Sequence, residues 1–351
     1  PSYTFGKNMD QNYGTTAIDE YAVDVTWEVA DKTDIGVDMR LLNNKLNLQF
    51  DYFKESRKGI YLRRSSIPSY VGMINNPYGN IGKVENKGFE LSVNYANSWG
   101  DWSLSLMGNY SFNRNKVLED DSTVAYPWQN TIGNKVGQRF GLVALGLFDS
   151  YEEIAASPVQ TGDTRPGDIK YKDLNGDGAI TYDQDRAYIG RGQRPQFNGS
   201  INLNASWKGL EFDILFIGAA VSEDNTIFTR PFKAGANSPR YLVEQAWTPE
   251  NPDAKYPRLS LNPPNTNNAY ASSFWYRDGK YLRLKSVHLG YTLPKAWTGK
   301  LRIQKVKVYV EGNNLCTWSG LPEGIDPEWP GVTNGYYPQQ RTVVGGLEIS
   351  F

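Results

Sequence analysis

The run Asp173-Leu174-Asn175-Gly176-Asp177-Gly178-Ala179-Ile180 sets side-chain oxygens at positions 1, 3 and 5, a glycine at 6 and an apolar residue at 8. This is the first half of a calcium loop, where oxygens on a tightly wound backbone replace the water around a hard cation. Asp173, Asn175 and Asp177 would offer side-chain oxygens, and Ala179 its carbonyl. The second half departs from the pattern: Gln184 takes position 12, between Asp183 and Asp185. The same residues also suit an Asx-rich turn that holds no metal.

Other chemistry finds little material. The single cysteine, Cys316, and the single histidine, His288, argue against a Cys/His zinc site and leave little for a Ser-His-Asp triad. His288 sits in the strand-like S-V-H-L-G-Y and reads as a wall residue. The 38 acidic residues show no spacing that singles out a hydrolytic pair. Gly190-Arg191-Gly192 precedes Pro195 and a strand rather than a helix, so it is no phosphate loop. Trp128, Trp247, Trp275 and Trp329 fall in long connections, where they either pack the loops or stack on sugar rings. A net charge of -1 gives no reason to expect a nucleic-acid partner.

The elements that carry these loops are strands. Leu46, Leu48, Phe50 and Tyr52 alternate with Lys45, Asn47, Gln49 and Asp51. Phe89, Leu91, Val93 and Tyr95 repeat the pattern. The cleanest case sets Trp102, Leu104, Leu106, Gly108, Tyr110 and Phe112 against Ser103, Ser105, Asn109, Ser111 and Asn113. Further strands are expected over residues 35–42, 197–207, 212–216, 281–293 and 301–315, with a weak approach at 21–28. Residues 1–18 read as the tail of a loop. The last stretch, R-T-V-V-G-G-L-E-I-S-F, alternates to its end at Phe351. Such period-two patterning is that of strands, not helices.

Connection lengths separate a soluble sandwich from a membrane barrel. Turns of a few residues (43–44, 98–101, 208–209, 294–300) alternate with excursions at about 55–84, 115–195 and 221–279. Counted back from Phe351, every short turn falls on one side. Membrane barrels place short turns on the periplasmic rim and long loops outside. The composition agrees: 39% hydrophobic residues give no apolar helix span, while a barrel wall needs an apolar residue only at every second position. The expected fold is therefore all-β, an antiparallel transmembrane β-barrel with long extracellular loops.

Five ordered motifs then carry a resemblance: N-I-G-K-V-E-N-K-G-F-E-L at 80–91, G-D-I-K-Y-K-D-L-N-G-D-G-A-I-T at 167–181, Y-L-R-L-K-S-V-H-L-G-Y-T-L-P at 281–294, G-N-N-L-C-T-W at 312–318 and G-Y-Y-P-Q-Q-R-T-V-V-G-G-L-E-I-S-F at 335–351. The chain resembles the SusC/RagA family of TonB-linked outer-membrane transporters of the Bacteroidetes. That resemblance implies a barrel of about 22 strands with an N-terminal plug. It also implies a SusD-like lipoprotein partner, energy from TonB, and a glycan or peptide as cargo. The plug and first strands have no counterpart here, and about nine or ten strands are legible, so residues 1–351 are expected to be the C-terminal part of the barrel domain. By the same resemblance Asp185 would close the calcium loop, and Phe351 would be the aromatic signal that the outer-membrane assembly machinery reads. No bond would be made or broken. The rival reading is a secreted β-rich carbohydrate-active enzyme, or a carbohydrate-binding protein, with a substrate cleft built from the long loops.

Overall fold

The computed structural model describes residues 2–5, 11–14, 24–71, 75–190, 192, 194–220, 240–260, 266–299, 303–322, 324–328 and 339–351. A short hairpin comes first, β1 (Ser2–Phe5) paired antiparallel with β2 (Gln11–Gly14). The expected loop over residues 1–18 is thus corrected. Four long strands follow: β3 (Val29–Leu41), β4 (Leu46–Arg63), β5 (Tyr78–Trp99) and β6 (Trp102–Glu119). A looped region holds β7 (Arg139–Leu142), β8 (Ala144–Leu147), β9 (Ile169–Tyr171) and β10 (Arg186–Ile189). Five strands complete the chain: β11 (Phe197–Trp207), β12 (Leu210–Ala219), β13 (Tyr281–Thr292), β14 (Lys305–Ser319) and β15 (Thr342–Ser350).

The long strands form one nine-stranded sheet in the order β15-β14-β13-β12-β11-β6-β5-β4-β3. Consecutive neighbours pair antiparallel from β11 to β15, and β11 pairs β6 in the same sense. Register keeps like with like. Leu106 lies opposite Leu203, and Leu203 opposite Ile214. Ser105 faces Asn204, which faces Asp213. One face is therefore apolar across the strands and the other polar. Among the described residues the apolar face has no cover: Val310 is 54% exposed and Leu347 60%. Apart from Val117, Ala219 and Ala220, the buried apolar residues among those described lie in the connections 137–196 and 240–278.

The tight turns follow from local chemistry. Lys208 and Gly209 both take positive φ, 46° and 85°, the two-residue geometry that matches strand twist. A Cβ on Gly209 would stand 2.6 Å from the carbonyl oxygen of Thr292, so this position requires glycine. At the same end Trp102 and Trp207 stack with centroids 5.3 Å apart, both more than 40% exposed. The link after β13 is more ordered than expected, with helix α4 (Lys295–Thr298) inside it. Asn314, in the G-N-N-L motif, has φ 53° and lies where the β13–β14 register slips between Leu284 and Ser286. The tight conformation absorbs this bulge.

Several boundaries differ from expectation. β4 and β5 leave only residues 64–77 between them, much less than the 55–84 excursion. β6 runs on to Glu119, and residues 24–28 form no strand. β5 spans 22 residues, roughly 70 Å at about 3.3 Å per residue, where about 9–11 suffice to cross a bilayer. Its outer part, 78–87, alternates poorly: Gly82 is buried and most of the other residues are half-buried whichever face they take.

The described residues fall into two compact units, 1–33 with 54–87 and 115–136, and 34–53 with 88–114 and 137–351. In the first, Asn80 accepts from the Thr26 N–H at 2.9 Å and donates to the carbonyls of Thr26 and Gly59. Asp121 accepts from the N–H of Ser66 at 3.1 Å and from its hydroxyl, and the N–H bond chiefly holds its carboxyl below the usual range. The second unit carries the candidate site.

Leu106 tests the assignment of faces. In a bilayer, Leu106→Arg near the midplane should cost about 2–4 kcal/mol of folding stability, while Ser105→Arg costs much less. Equilibrium unfolding of the full-length protein in lipid vesicles measures both; equal losses would refute the register.

Candidate functional site

In the second unit, three short helices join the small strands: α1 (Tyr151–Ala155), α2 (Arg240–Glu244) and α3 (Thr266–Ala269). Ser150 caps α1 by accepting from the N–H of Glu153 at 3.2 Å. β7 pairs with β10, and β8 with β9. Leu142, Ile169, Tyr171, Ile180, Leu242, Tyr256 and Trp275 pack into one apolar cluster from connections distant in sequence. These loops have a core of their own.

A buried polar knot ties that core together. Asp168 is fully buried, and its Oδ1 lies 2.7 Å from Nε of Arg258. Its Oδ2 accepts from Nη2 of Arg258 at 3.1 Å and from the N–H of Arg165 at 2.8 Å. Asn268 donates to Asp168 at 2.9 Å and accepts from the N–H of Ile169 at 2.8 Å. Asn267 donates to the carbonyl of Ile169, while the Tyr171 hydroxyl donates to the carbonyl of Asn267, both at 2.7 Å. The indole of Trp275 donates to the carbonyl of Asn268 at 2.8 Å. Burial pushes the Tyr171 phenol well above its usual range, so it stays a neutral donor. At the edge, Lys170 bonds Glu153 at 2.8 Å and holds that carboxyl below the usual range.

The Asp173–Asp185 segment is wound by its own oxygens. Asp173 accepts from the N–H groups of Gly176 and Gly178 at 2.7 and 2.9 Å. Asn175 accepts from the N–H of Asp177 at 3.1 Å, and Asp177 from that of Ala179 at 2.9 Å. The Asn175 amide nitrogen points to Asp177 and Gln184, at 2.8 and 3.0 Å. Asp185 is fully buried and accepts at 2.8 Å from the N–H groups of both Leu174 and Thr181. Among the described residues, no group of three or more His, Cys, Asp or Glu side chains is placed to hold a metal. The oxygen-only donor set suits calcium, and each oxygen that accepts one N–H retains a second lone pair.

Three of the four loop tryptophans pack within the protein. Trp275 is buried, Trp128 stacks on Tyr126 at 4.7 Å, and the Trp247 ring fills the space where a Cβ of Gly167 would stand. Gly167 has φ 86°, so both conformation and contact require glycine there. Trp329 lies outside the described residues. Phe351 follows β15 and is 82% exposed.

On the polar face, register sets Asn204, Asp213, His288 and Glu311 in one row across β11 to β14. His288 is the wall residue its sequence context indicates, stacked on Tyr309 at 5.4 Å. Asn202 donates to Asp213 at 3.0 Å. Further along, the buried Arg283 bonds Asp326 and Glu328, both at 2.6 Å, and Gln339 at 2.7 Å. This anchors the last connection to the wall. Together these groups form a wall lined with donors and acceptors.

Sequence reasoning missed Asp168, Arg258, Asn267 and Asn268 as a unit. Asp168 lies within the 167–181 motif, but its cation comes from a position 90 residues away. Asp168→Ala would leave Arg258 unpaired and should cost about 3–5 kcal/mol. Hydrogen exchange over 139–190 and 240–278 should accelerate while the strand wall stays protected. Unchanged exchange would show that the knot does not hold the loops.

Comparison with known proteins gives the same fold. A family model described as TonB dependent receptor-like, β-barrel, matches residues 2–315. TonB-dependent receptor P3 of Formosa agariphila is 29% identical, over 97% of this chain and 36% of its own length. TonB-dependent receptor SusC of Bacteroides thetaiotaomicron is 25% identical, over 99% of this chain and 34% of its own. The structure of the RagAB peptide transporter aligns with TM-score 0.66 at 21% identity, over 100% of this chain and 38% of that one. The chain thus spans about a third of the length of the curated relatives it matches. No helix among the described residues is long and apolar enough to cross a membrane, which leaves crossing by strands untouched. The uncovered apolar face of the sheet is the surface such a barrel turns to the outer membrane, and the chain belongs to the TonB dependent receptor-like β-barrel family.

Proposed function

We propose that this chain forms part of an importer that carries a glycan or peptide nutrient across the outer membrane, energised through TonB and working with a SusD-like surface lipoprotein. The observation that carries this is the two-faced wall: an uncovered apolar face backed by a polar row of Asn204, Asp213, His288 and Glu311. A polar lumen exchanges hydrogen bonds with a hydrated cargo at little cost and needs no covalent step. The packed loop cluster around Asp168 suits a rigid outer surface for the lipoprotein to close upon. β3 and β15 each have one neighbour among the described residues. In this reading, further strands of the full-length protein pair with them, and a plug fills the closed barrel.

Uptake tests the reading. Labelled oligosaccharides and peptides should accumulate in the periplasm of cells carrying the full-length protein. Accumulation should stop when either TonB or the lipoprotein is removed. Cleaved cargo released outside the cell without TonB would favour the rival, a secreted carbohydrate-active enzyme.

Two local roles belong to this proposal. Asp173, Asn175, Asp177 and the Ala179 carbonyl would hold calcium and stiffen the loop. Asp185 would close the ring through the lone pair that each of its oxygens keeps beyond its backbone N–H. Calcium should then slow hydrogen exchange over 173–185, and Asp177→Ala should abolish that effect; identical exchange in calcium and in chelator would sink the idea. The exposed ring of Phe351 would be read during assembly. Its deletion should lower the amount of full-length protein in the outer membrane, and unchanged levels would show the ring dispensable.

A further inference from the structure

We propose that a groove in the membrane-facing wall binds one acyl chain of a glycolipid from the outward leaflet. The groove has a volume of about 410 Å³, and Gly108, Gly199 and Gly218 are among the residues lining it. Register sets Gly199 beside both Tyr110 and Gly218, and Gly108 beside Ile201, so the three glycines step diagonally over β6, β11 and β12. Tyr110, Phe216 and Leu282 also line it. All of these belong to the apolar alternation, so the groove is a recess in the belt that faces the bilayer.

That continuity selects the occupant. An apolar recess left empty loses dispersion contacts along its whole length. Water does not fill it, because a stable water needs two to four polar partners. A hydrocarbon chain supplies the missing contact and comes from the solvent this face already meets. The leaflet follows from position. Gly199 lies near the start of β11 and Gly218 near the end of β12, far from the Lys208-Gly209 turn. Long loops mark the outer side of such barrels, and glycolipid makes up the outward leaflet there. The inference rests on the membrane wall and not on the cargo, so import can fail while lipid binding stands.

A photoreactive residue at Leu282, in the full-length protein in its native outer membrane, gives the test. Irradiation should yield an adduct with lipid A-bearing glycolipid, identified by mass spectrometry. Gly108→Leu puts a side chain into the groove from a position with room for its first carbon: an added Cβ meets only the carbonyl oxygen of Ser200, at 4.0 Å. The adduct should fall about tenfold, as losing contact with roughly two methylenes implies. Gly199→Ala, whose methyl would stand 3.3 Å from the carbonyl oxygen of Asn109, should give a smaller loss. An adduct undiminished in both variants would overturn the proposal. So would an adduct formed chiefly with phospholipid or with a second protein chain.

Discussion

A wall one strand thick must satisfy its own backbone, because hydrocarbon offers no hydrogen-bond partner. Antiparallel pairing does this from β11 to β15 and back to β6, and the register it imposes fixes the direction of every side chain. Leu106, Leu203, Ile214 and Val287 come into one row, while Ser105, Asn204, Asp213 and His288 come into another. A slip of one residue would exchange the two rows and put carboxylates into lipid. The few departures are local and accommodated. Asn314 takes up the bulge where the register slips between Leu284 and Ser286, and Gly346 makes room for the ring of Tyr309.

Such a wall has no interior, so the apolar core moves into the connections. Leu142, Ile169, Tyr171, Leu242 and Trp275 build a small globular body from loops that no single stretch of sequence would fold. Burying Asp168 is costly, and the arrangement meets that cost with a guanidinium, an amide and a backbone N–H. Each partner belongs to a different turn of chain, so satisfying one carboxylate fixes several loops at once. Arg283 does the same for the last connection through Asp326, Glu328 and Gln339. Rigid loops on a rigid wall are what a recognition surface requires.

The parts legible in the sequence were those governed by near neighbours. Period-two alternation located β6, β11 and β12, and Lys208-Gly209 marked its turn. The outer lengths of β4 and β5 were missed because Glu55, Arg57 and Lys83 stand outside any apolar stripe, where alternation loses its meaning. The hairpin of β1 and β2 lay hidden in polar, glycine-containing sequence. The Asp168 knot was illegible for another reason: its partners lie 90 and 100 residues away, and neither Arg258 nor Asn268 is unusual in its own surroundings. Conversely, the Asp173–Asp177 spacing was plain, yet the same oxygens that suit a cation also wind the loop by accepting backbone N–H groups. Local pattern names the donors; long-range geometry decides what they serve.

The two-faced wall can be read directly by scanning single cysteines along β11 in the full-length protein, in a background where Cys316 is replaced by serine. Alternation predicts that cysteines at Ser200, Asn202 and Asn204 react with a water-soluble maleimide, while those at Ile201, Leu203 and Ala205 react only with a lipid-soluble one. Uniform labelling by the water-soluble reagent along the strand would contradict a membrane wall.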